Sequence, residues 1–268
     1  MQPAHDPALQ RQYDNPAMVP AHPTIIAGWA SQAAAHRARG GRLDIAYGPS
    51  GRERYDIFGP DEAPLAVFIH GGYWQKMDKS FFSHLAAGLN GHGVAVAVLG
   101  YDLCPGVTIP RIIAQLRAAC ASLPRRPALA FGHSAGGHLA AMLLASFHVD
   151  AALPISGVFE LAPLRHTTIG QALALSEADA LALSPRFMPP APGWLHAVVG
   201  GAESDEFRRQ THDFARAWGG SAEELPGLNH FSVLAPFSDP GSAVVARMRR
   251  AISETAGRAG TSRWPAHR

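Results

Sequence analysis

The chain has 268 residues, a formal net charge of +2, 47% hydrophobic residues and 16% charged residues. This size and composition are those of a globular protein with one large α/β domain or two small ones. The charge is small and includes no long basic run, and no apolar run approaches the roughly 18 residues of a membrane-spanning helix, so neither nucleic acid nor a membrane is expected as a partner.

The N-terminal part is predicted to wrap around the surface and then form a helix. Residues 1–22 are rich in proline and polar groups, and residues 23–39 have a helical pattern that Gly40 and Gly41 end. We therefore interpret residues 1–40 as a wrapping segment followed by a helix. Alternating patterns typical of edge strands come next, at residues 43–47 and 53–58.

The first buried strand ends in a pair of glycines. Residues 65–70 are almost entirely apolar, and His70-Gly-Gly-Tyr-Trp74 follows directly. Two glycines at a strand end let the backbone turn sharply and approach a ligand. An acyl-transfer enzyme needs such a loop, because backbone N–H groups must lie about 3 Å from the developing oxyanion. The alternative is an ordinary Gly-Gly turn.

Helical and strand patterns then alternate along the chain. Continuous apolar strands joined by helical crossovers predict a mostly parallel sheet with helices on both faces. The predicted helices are residues 80–90, 108–122, 135–147, 205–218 and 238–256. The predicted strands are residues 94–99, 128–133, 151–156, 194–200 and 221–225.

The most informative stretch is Gly132-His-Ser-Ala-Gly136. It lies between the strand at 128–133 and the helix at 135–147, as in a sharp turn that presents a serine as a nucleophile. Gly132, Ala135 and Gly136 around Ser134 are small because such a strained turn has no room there for larger residues. The N–H group of Ala135, at the start of the helix, is aimed at an oxyanion in such a turn.

Residues 160–193 interrupt the alternation of strands and helices. They contain five prolines with short helical pieces between them. An insertion at this point of an α/β sheet lies over the carboxyl edge of the strands, so we predict a small cap. A plain long connection is the alternative.

A serine nucleophile needs a base, and in this fold the base follows it in the chain. His230 lies in a loop after the last short strand and before the last helix, which is the required position. Among the other histidines after Ser134, His166 falls in the predicted cap, His196 in a strand and His212 in a helix.

The base in turn needs an orienting carboxylate after the strand at 194–200. Glu203, Asp205 and Glu206 are the candidates. Glu206 is predicted to begin the next helix, and Asp205 could cap it. Glu203 comes soonest after the strand and has no capping role, so we favour Glu203 and leave Asp205 open.

These motifs resemble the arylformamidase (kynurenine formamidase) branch of the α/β-hydrolases, which is close to the hormone-sensitive-lipase-like esterases. The resemblance extends over residues 9–236. It is carried by Tyr13-Asp-Asn-Pro16, His70-Gly-Gly-Tyr-Trp-Gln75, Tyr101-Asp-Leu-Cys-Pro105, Gly132-His-Ser-Ala-Gly-Gly-His-Leu139, Glu206-Phe-Arg-Arg-Gln210 and Asn229-His-Phe231.

The resemblance implies Ser134 as nucleophile and His230 as base. Glu203 falls where arylformamidases usually have an aspartate, whereas alignment on the lipase-like esterases would select Asp205. The esterases have a third glycine where this chain has Tyr73, and a backbone N–H is all that an oxyanion hole needs. The implied hole comprises the N–H groups of Gly72, Tyr73 and Ala135, and Tyr73 and Trp74 are expected to line an acyl or aryl pocket.

We therefore predict a single α/β-hydrolase domain over residues 1–268, with a mostly parallel central sheet. The expected activity is that of a serine hydrolase acting on a small ester or aryl formamide, without a metal or other cofactor. Two cysteines, Cys104 and Cys120, predict buried thiols and a cytoplasmic location, and a homodimer is one expected assembly. The alternative is a non-catalytic binding protein on the same scaffold.

Overall fold

The computed structural model describes residues 4–259, with the backbone alone for residues 256–259. Within this range eight strands form one central sheet. The strands are β1 (Arg42–Ala46), β2 (Arg54–Phe58), β3 (Leu65–Ile69), β4 (Ala95–Leu99), β5 (Leu129–His133), β6 (Ala151–Ile155), β7 (Trp194–Gly200) and β8 (Ser221–Leu225). The α-helices are α1 (Pro7–Tyr13), α2 (Asn15–Met18), α3 (His22–Ala38), α4 (Ala86–Asn90), α5 (Ile109–Ser122), α6 (Ala135–Ala145), α7 (Thr168–Leu173), α8 (Glu177–Ala182), α9 (Asp205–Ala217) and α10 (Ala243–Ala259).

The strand order is β1-β2-β4-β3-β5-β6-β7-β8. The pairs β1–β2 and β2–β4 are antiparallel, and every other neighbouring pair is parallel. All residues of β3, β4, β5 and β6 are buried, as expected for parallel strands that helices cover on both faces. The predicted α/β class with a mostly parallel sheet is therefore confirmed.

Two apolar layers flank the sheet. One contains Val67 of β3 with Leu139 of α6, and the other contains Phe68 of β3 with Phe131 of β5 and Val245 of α10. Because successive side chains of a strand point to opposite faces, β3 contributes to both layers. Burial of each such side chain stabilises the fold by about 1.5–3 kcal/mol, so the strand ends that carry the loops are held firmly.

Two predicted helices differ from the structure. Residues 80–90 form two short 3-10 turns, at Lys79–Phe81 and Ser83–Leu85, before α4. Phe82 separates them with a φ of −125°, and its ring is buried. The last helix begins at Ala243 rather than 238, because Pro240 and Gly241 cannot sustain a helix there.

Residues 160–193 contain α7, α8 and two 3-10 turns, at Ala162–His166 and Pro185–Phe187. The turn at Ala162–His166 contacts α1, and the turn at Pro185–Phe187 contacts α6 and α9. Its role as a cap stays a prediction. No helix in the described range is long and apolar enough to cross a membrane.

The pH dependence of stability can be predicted from His138, which is fully buried in α6. Its Nε2 lies 2.8 Å from the carbonyl oxygen of Leu183, and burial lowers the pKa of His138 to about 4. The unfolded chain therefore binds the proton more tightly than the folded chain does. The stability gained by burying the neutral imidazole is lost as the pH falls from about 6.5 to about 4. The full loss is on the order of 3 kcal/mol.

We expect the free energy of unfolding of a His138→Gln variant to fall less steeply over this pH window than that of the unsubstituted protein. Denaturant titrations at several pH values would measure both slopes. His5→Gln, at an exposed position, is the matched control. Equal slopes for all three proteins would contradict the prediction.

Candidate active site

Ser134 lies in the turn between β5 and α6, with a φ of 56° and a ψ of −118°. This sparsely populated conformation costs about 1–3 kcal/mol and persists only where the surroundings enforce it. Part of the enforcement is the 2.8 Å hydrogen bond from Ser134 N–H to the carbonyl oxygen of Ile155. A Cβ on Gly136 would lie 2.0 Å from the oxygen of Ile69, so the helix can begin this close to β3 only with glycine there.

Several backbone N–H groups beside this turn have no hydrogen-bond acceptor among residues 4–259. They include those of Gly72, Tyr73 and Ala135, the residues predicted for an oxyanion hole. Gly72 has a φ of +105°, and a Cβ there would lie 2.3 Å from the oxygen of Lys76. Free donors at the carboxyl edge of the sheet can stabilise a negatively charged oxygen without any reorganisation.

A buried aromatic stack supports the loop that follows β3. The His70 ring stacks on Tyr101 with 4.2 Å between centroids, and the Tyr101 hydroxyl donates to the His70 carbonyl oxygen at 2.7 Å. Burial lowers the pKa of His70 to about 4, so the imidazole is neutral. Its Nδ1 lies 2.8 Å from the carbonyl oxygen of Gly71 and donates to it, which orients the peptide next to the free N–H groups.

Glu203 and His230 form a buried pair. Nδ1 of His230 donates to Oε2 of Glu203 at 2.7 Å, and the Glu203 side chain is fully buried. Its other oxygen accepts hydrogen bonds from the Ser156 hydroxyl and, at 2.8 Å, from the N–H of Gly200. A carboxylate held by three donors orients the imidazole so that Nε2 is left to act as a base.

Asp205 is the first residue of α9 and its side chain is 91% exposed. Its contact is an ion pair with Arg208 at 3.4 Å. Ser204 caps the helix, with its hydroxyl accepting from Phe207 N–H, so Asp205 is not the cap. The structure therefore brings Glu203, and not Asp205, to His230.

A second histidine, His133, also contacts His230. Its Nε2 lies 2.8 Å from the His230 carbonyl oxygen, and a carbonyl can only accept, so Nε2 carries the hydrogen. Burial and the neighbouring His230 put the pKa of His133 well below its ordinary value. The neutral His133 and the Phe207 ring, 4.6 Å from the His230 ring between centroids, fix the position of His230.

Ser134, His230 and the glycine loop line one cavity of about 190 Å³. Part of its lining comes from the loops after β3, β5 and β8: Gly71, Gly72, Tyr73, His133, Ser134 and His230. Residues from the N-terminal part form one wall: Asn15, Pro16, His22, Ile26 and Trp29. Lys76, Met77, Phe82 and Phe231 complete the lining.

The two aromatic residues predicted to bind substrate have different positions. Tyr73 lines the cavity, and its hydroxyl donates to the Tyr13 carbonyl oxygen at 2.6 Å and accepts from Asn15 at 3.2 Å. Trp74 is fully buried in the core and packs edge-on against His138 at 5.1 Å. The prediction that Trp74 lines the pocket was wrong, because Tyr73 and Trp74 both have positive φ and the chain turns Trp74 inward.

Residues 66–266 match the family model described as the alpha/beta hydrolase family. The chain belongs to this family. This match confirms the predicted fold and the predicted serine hydrolase class. Among its described residues, no group of three or more His, Cys, Asp or Glu side chains is placed to hold a metal ion.

The hydrolase is similar to proteins named kynurenine formamidase. The one from Salmo salar is 29% identical over 226 residues, which cover 74% of this chain and 77% of that protein. The one from Drosophila melanogaster is 30% identical over 224 residues, which cover 71% of this chain and 74% of that protein.

Solved structures show the same fold. A candidate thioesterase from Silicibacter sp. TM1040 has a TM-score of 0.85 and 34% identity, over 91% of this chain and 98% of that one. Esterase B from Lactobacillus rhamnosis has a TM-score of 0.67 and 18% identity, over 92% and 97% of the two chains.

Sequence reasoning missed two parts of this site. Ser156, which binds the buried carboxylate, directly follows β6, and a polar residue at the carboxyl end of a buried strand is a signal that could have found it. The N-terminal wall was predicted only as a surface wrap. One of its links to the rest of the fold is the Tyr13 hydroxyl, which donates to Glu206 at 2.9 Å, and no local pattern indicates such a contact.

Proposed function

We propose that this hydrolase cleaves small esters or aryl formamides through an acyl-enzyme, with Ser134 as nucleophile, His230 as base and Glu203 as the orienting acid. The observation that carries the proposal is the 2.7 Å hydrogen bond between Glu203 and His230, beside a cavity that His230 and Ser134 both line. A base oriented by a buried carboxylate is what activates a serine hydroxyl.

The reaction proceeds in two halves. His230 accepts the hydroxyl proton of Ser134 while Oγ of Ser134 bonds to the substrate carbonyl carbon. The N–H groups of Gly72, Tyr73 and Ala135 donate to the resulting oxyanion. The C–O or C–N bond then breaks as His230 returns its proton to the leaving alcohol or amine. Water, deprotonated by His230, attacks the acyl-enzyme, and the acid and the free serine are released.

The names of the relatives and the lining of the cavity support an aryl formamide as the substrate. Trp29, Phe82 and Phe231 supply apolar surface on which an aromatic ring can pack. The cavity volume of about 190 Å³ is below the roughly 300–1,000 Å³ of pockets for drug-sized ligands, so a small substrate is favoured.

Rates on N-formylkynurenine and on 4-nitrophenyl acetate test this assignment. We expect hydrolysis of both, with kcat/KM for the formamide higher by at least about tenfold, or about 1.4 kcal/mol of transition-state stabilisation. Hydrolysis of the ester alone would favour the second candidate, a general carboxylesterase, which the fold shared with esterase B supports. Hydrolysis of neither compound would overturn the proposal.

A binding-only role has no observation in its favour, because such a role would not need the nucleophile, the oriented base and the free N–H groups together. We further place the enzyme in the cytoplasm. Cys104 and Cys120 are both free and buried, as is usual for proteins of reducing compartments. The homodimer stays a prediction.

A further inference from the structure

The residues that line the catalytic cavity include no Asp or Glu. The acid of the site, Glu203, lies behind His230 with its side chain fully buried. Lys76 is the one Lys or Arg among the lining residues, and it is exposed, so it lies at the rim. The cavity therefore presents a positive charge to a substrate and no fixed negative one.

Lysine is rare in this protein. Of the 23 Lys and Arg residues, two are lysines, Lys76 and Lys79. Lys79 is buried and its charge is compensated by Asp44 at 2.6 Å and Asp56 at 2.7 Å. Lys76 has no carboxylate within 4.0 Å in the described range. The one exposed lysine thus lies at the catalytic cavity and leaves its charge unpaired.

The backbone holds Lys76 close to the oxyanion loop. Its N–H donates to the carbonyl oxygen of Gly72 at 3.0 Å, so one tight turn carries both the cation and the free N–H groups of Gly72 and Tyr73. The four-carbon stem allows the ammonium group to follow a substrate, and a compact point charge suits a carboxylate in variable orientations.

We propose that Lys76 binds a carboxylate on the substrate, so that the preferred substrates of this site are anionic esters or formamides. This inference rests on the proposed hydrolytic function. In a formamide the acyl half is a single carbon, so the carboxylate belongs to the amine half. At a cavity rim without opposing charge, one cation both raises the local concentration of an anion and orients it.

Two substrate pairs that differ by a carboxylate test the inference. In the first pair, 3-acetoxybenzoate and phenyl acetate, the carboxylate is on the leaving group. In the second, mono-4-nitrophenyl glutarate and 4-nitrophenyl valerate, it is on the acyl half. The quantity measured is the ratio of kcat/KM for the anionic substrate to that for the neutral one, so that general damage to the enzyme cancels.

Lys76→Glu is expected to lower this ratio about tenfold for at least one pair, mainly through KM, because it replaces attraction by repulsion. The pair that responds identifies which half of the substrate lies beside Lys76. Lys76→Arg should keep most of the ratio, and the effect of Lys76→Glu should shrink as salt screens the charge. Arg250→Glu, an equal charge reversal at an exposed position of α10, should leave the ratio unchanged.

The two proposals fail in different ways. If the unsubstituted enzyme hydrolyses all four compounds and Lys76→Glu changes neither ratio, the inference about Lys76 is wrong and the hydrolytic function stands. An equal loss of ratio in Arg250→Glu would also overturn it, since the effect would then come from net charge. If the unsubstituted enzyme hydrolyses none of the four esters and does not hydrolyse N-formylkynurenine either, the proposed function itself fails.

Discussion

Ser134→Ala is expected to reduce hydrolysis of 4-nitrophenyl acetate by about 10⁴- to 10⁶-fold while the protein stays folded. The reason is that the acyl-enzyme cannot form without Oγ, and the remaining free N–H groups of the loop can accelerate only a direct attack by water. Steady-state rates, with circular dichroism to establish folding, would measure the effect. A fluorophosphonate probe should label the unsubstituted enzyme and not this variant.

Ser146→Ala is the matched control, because Ser146 ends the same helix α6 and its hydroxyl donates to the Met142 carbonyl oxygen at 2.8 Å. We expect it to keep both the activity and the labelling. A folded Ser134→Ala variant with more than a few per cent of the activity would remove Ser134 as the nucleophile. Loss of labelling in both variants would point to damage of the fold instead.

Glu203→Gln is the second variant for which a large effect is expected, a fall in kcat of about 10³- to 10⁴-fold. The carboxylate accepts from His230, Ser156 and Gly200. An amide supplies one acceptor oxygen in place of two, and it no longer stabilises the imidazolium that forms when His230 takes the serine proton. Leaving a buried donor unpaired would also cost about 1–3 kcal/mol of stability, so thermal unfolding should be measured together with the rates.

Asp205→Asn is the control, two residues away and of the same chemical kind. Asp205 is 91% exposed and contacts Arg208 at 3.4 Å, so we expect less than about 1 kcal/mol change in stability and a kcat within about twofold of the unsubstituted enzyme. If Asp205→Asn were the more damaging of the two, the orienting role would have to be reassigned.

Much of the site could be predicted because its signals are local. The turn around Ser134 needs glycine at 132 and 136 to let α6 begin against β3, so the chemistry leaves a pattern in five consecutive residues. The glycine pair after β3 is also required by the local backbone, since Gly72 has a φ of +105° and no room for a Cβ. His230 could be selected because it is the histidine that occupies a loop after β8 and before the last helix, an order that the fold imposes.

The sequence favoured Glu203 over Asp205 but could not exclude Asp205. The two residues are separated by a single position, and both follow β7. Their roles diverge because Glu203 turns back beneath the sheet edge toward Ser156, 47 residues away in the chain, whereas Asp205 begins α9 and faces solvent. Side-chain direction within a loop depends on such distant partners, and the residue types alone do not contain that information.

The sequence by itself therefore determined the fold class and selected Ser134, His230 and the glycine loop as candidates, because their signals are short runs of residues or an order along the chain. Only the tertiary structure decided which carboxylate meets His230, that Trp74 belongs to the core, and that the N-terminal segment lines the cavity. Those features depend on contacts between parts of the chain far apart in sequence, such as Tyr73 with Tyr13, 60 residues away, and they form only when the packed sheet brings those parts together.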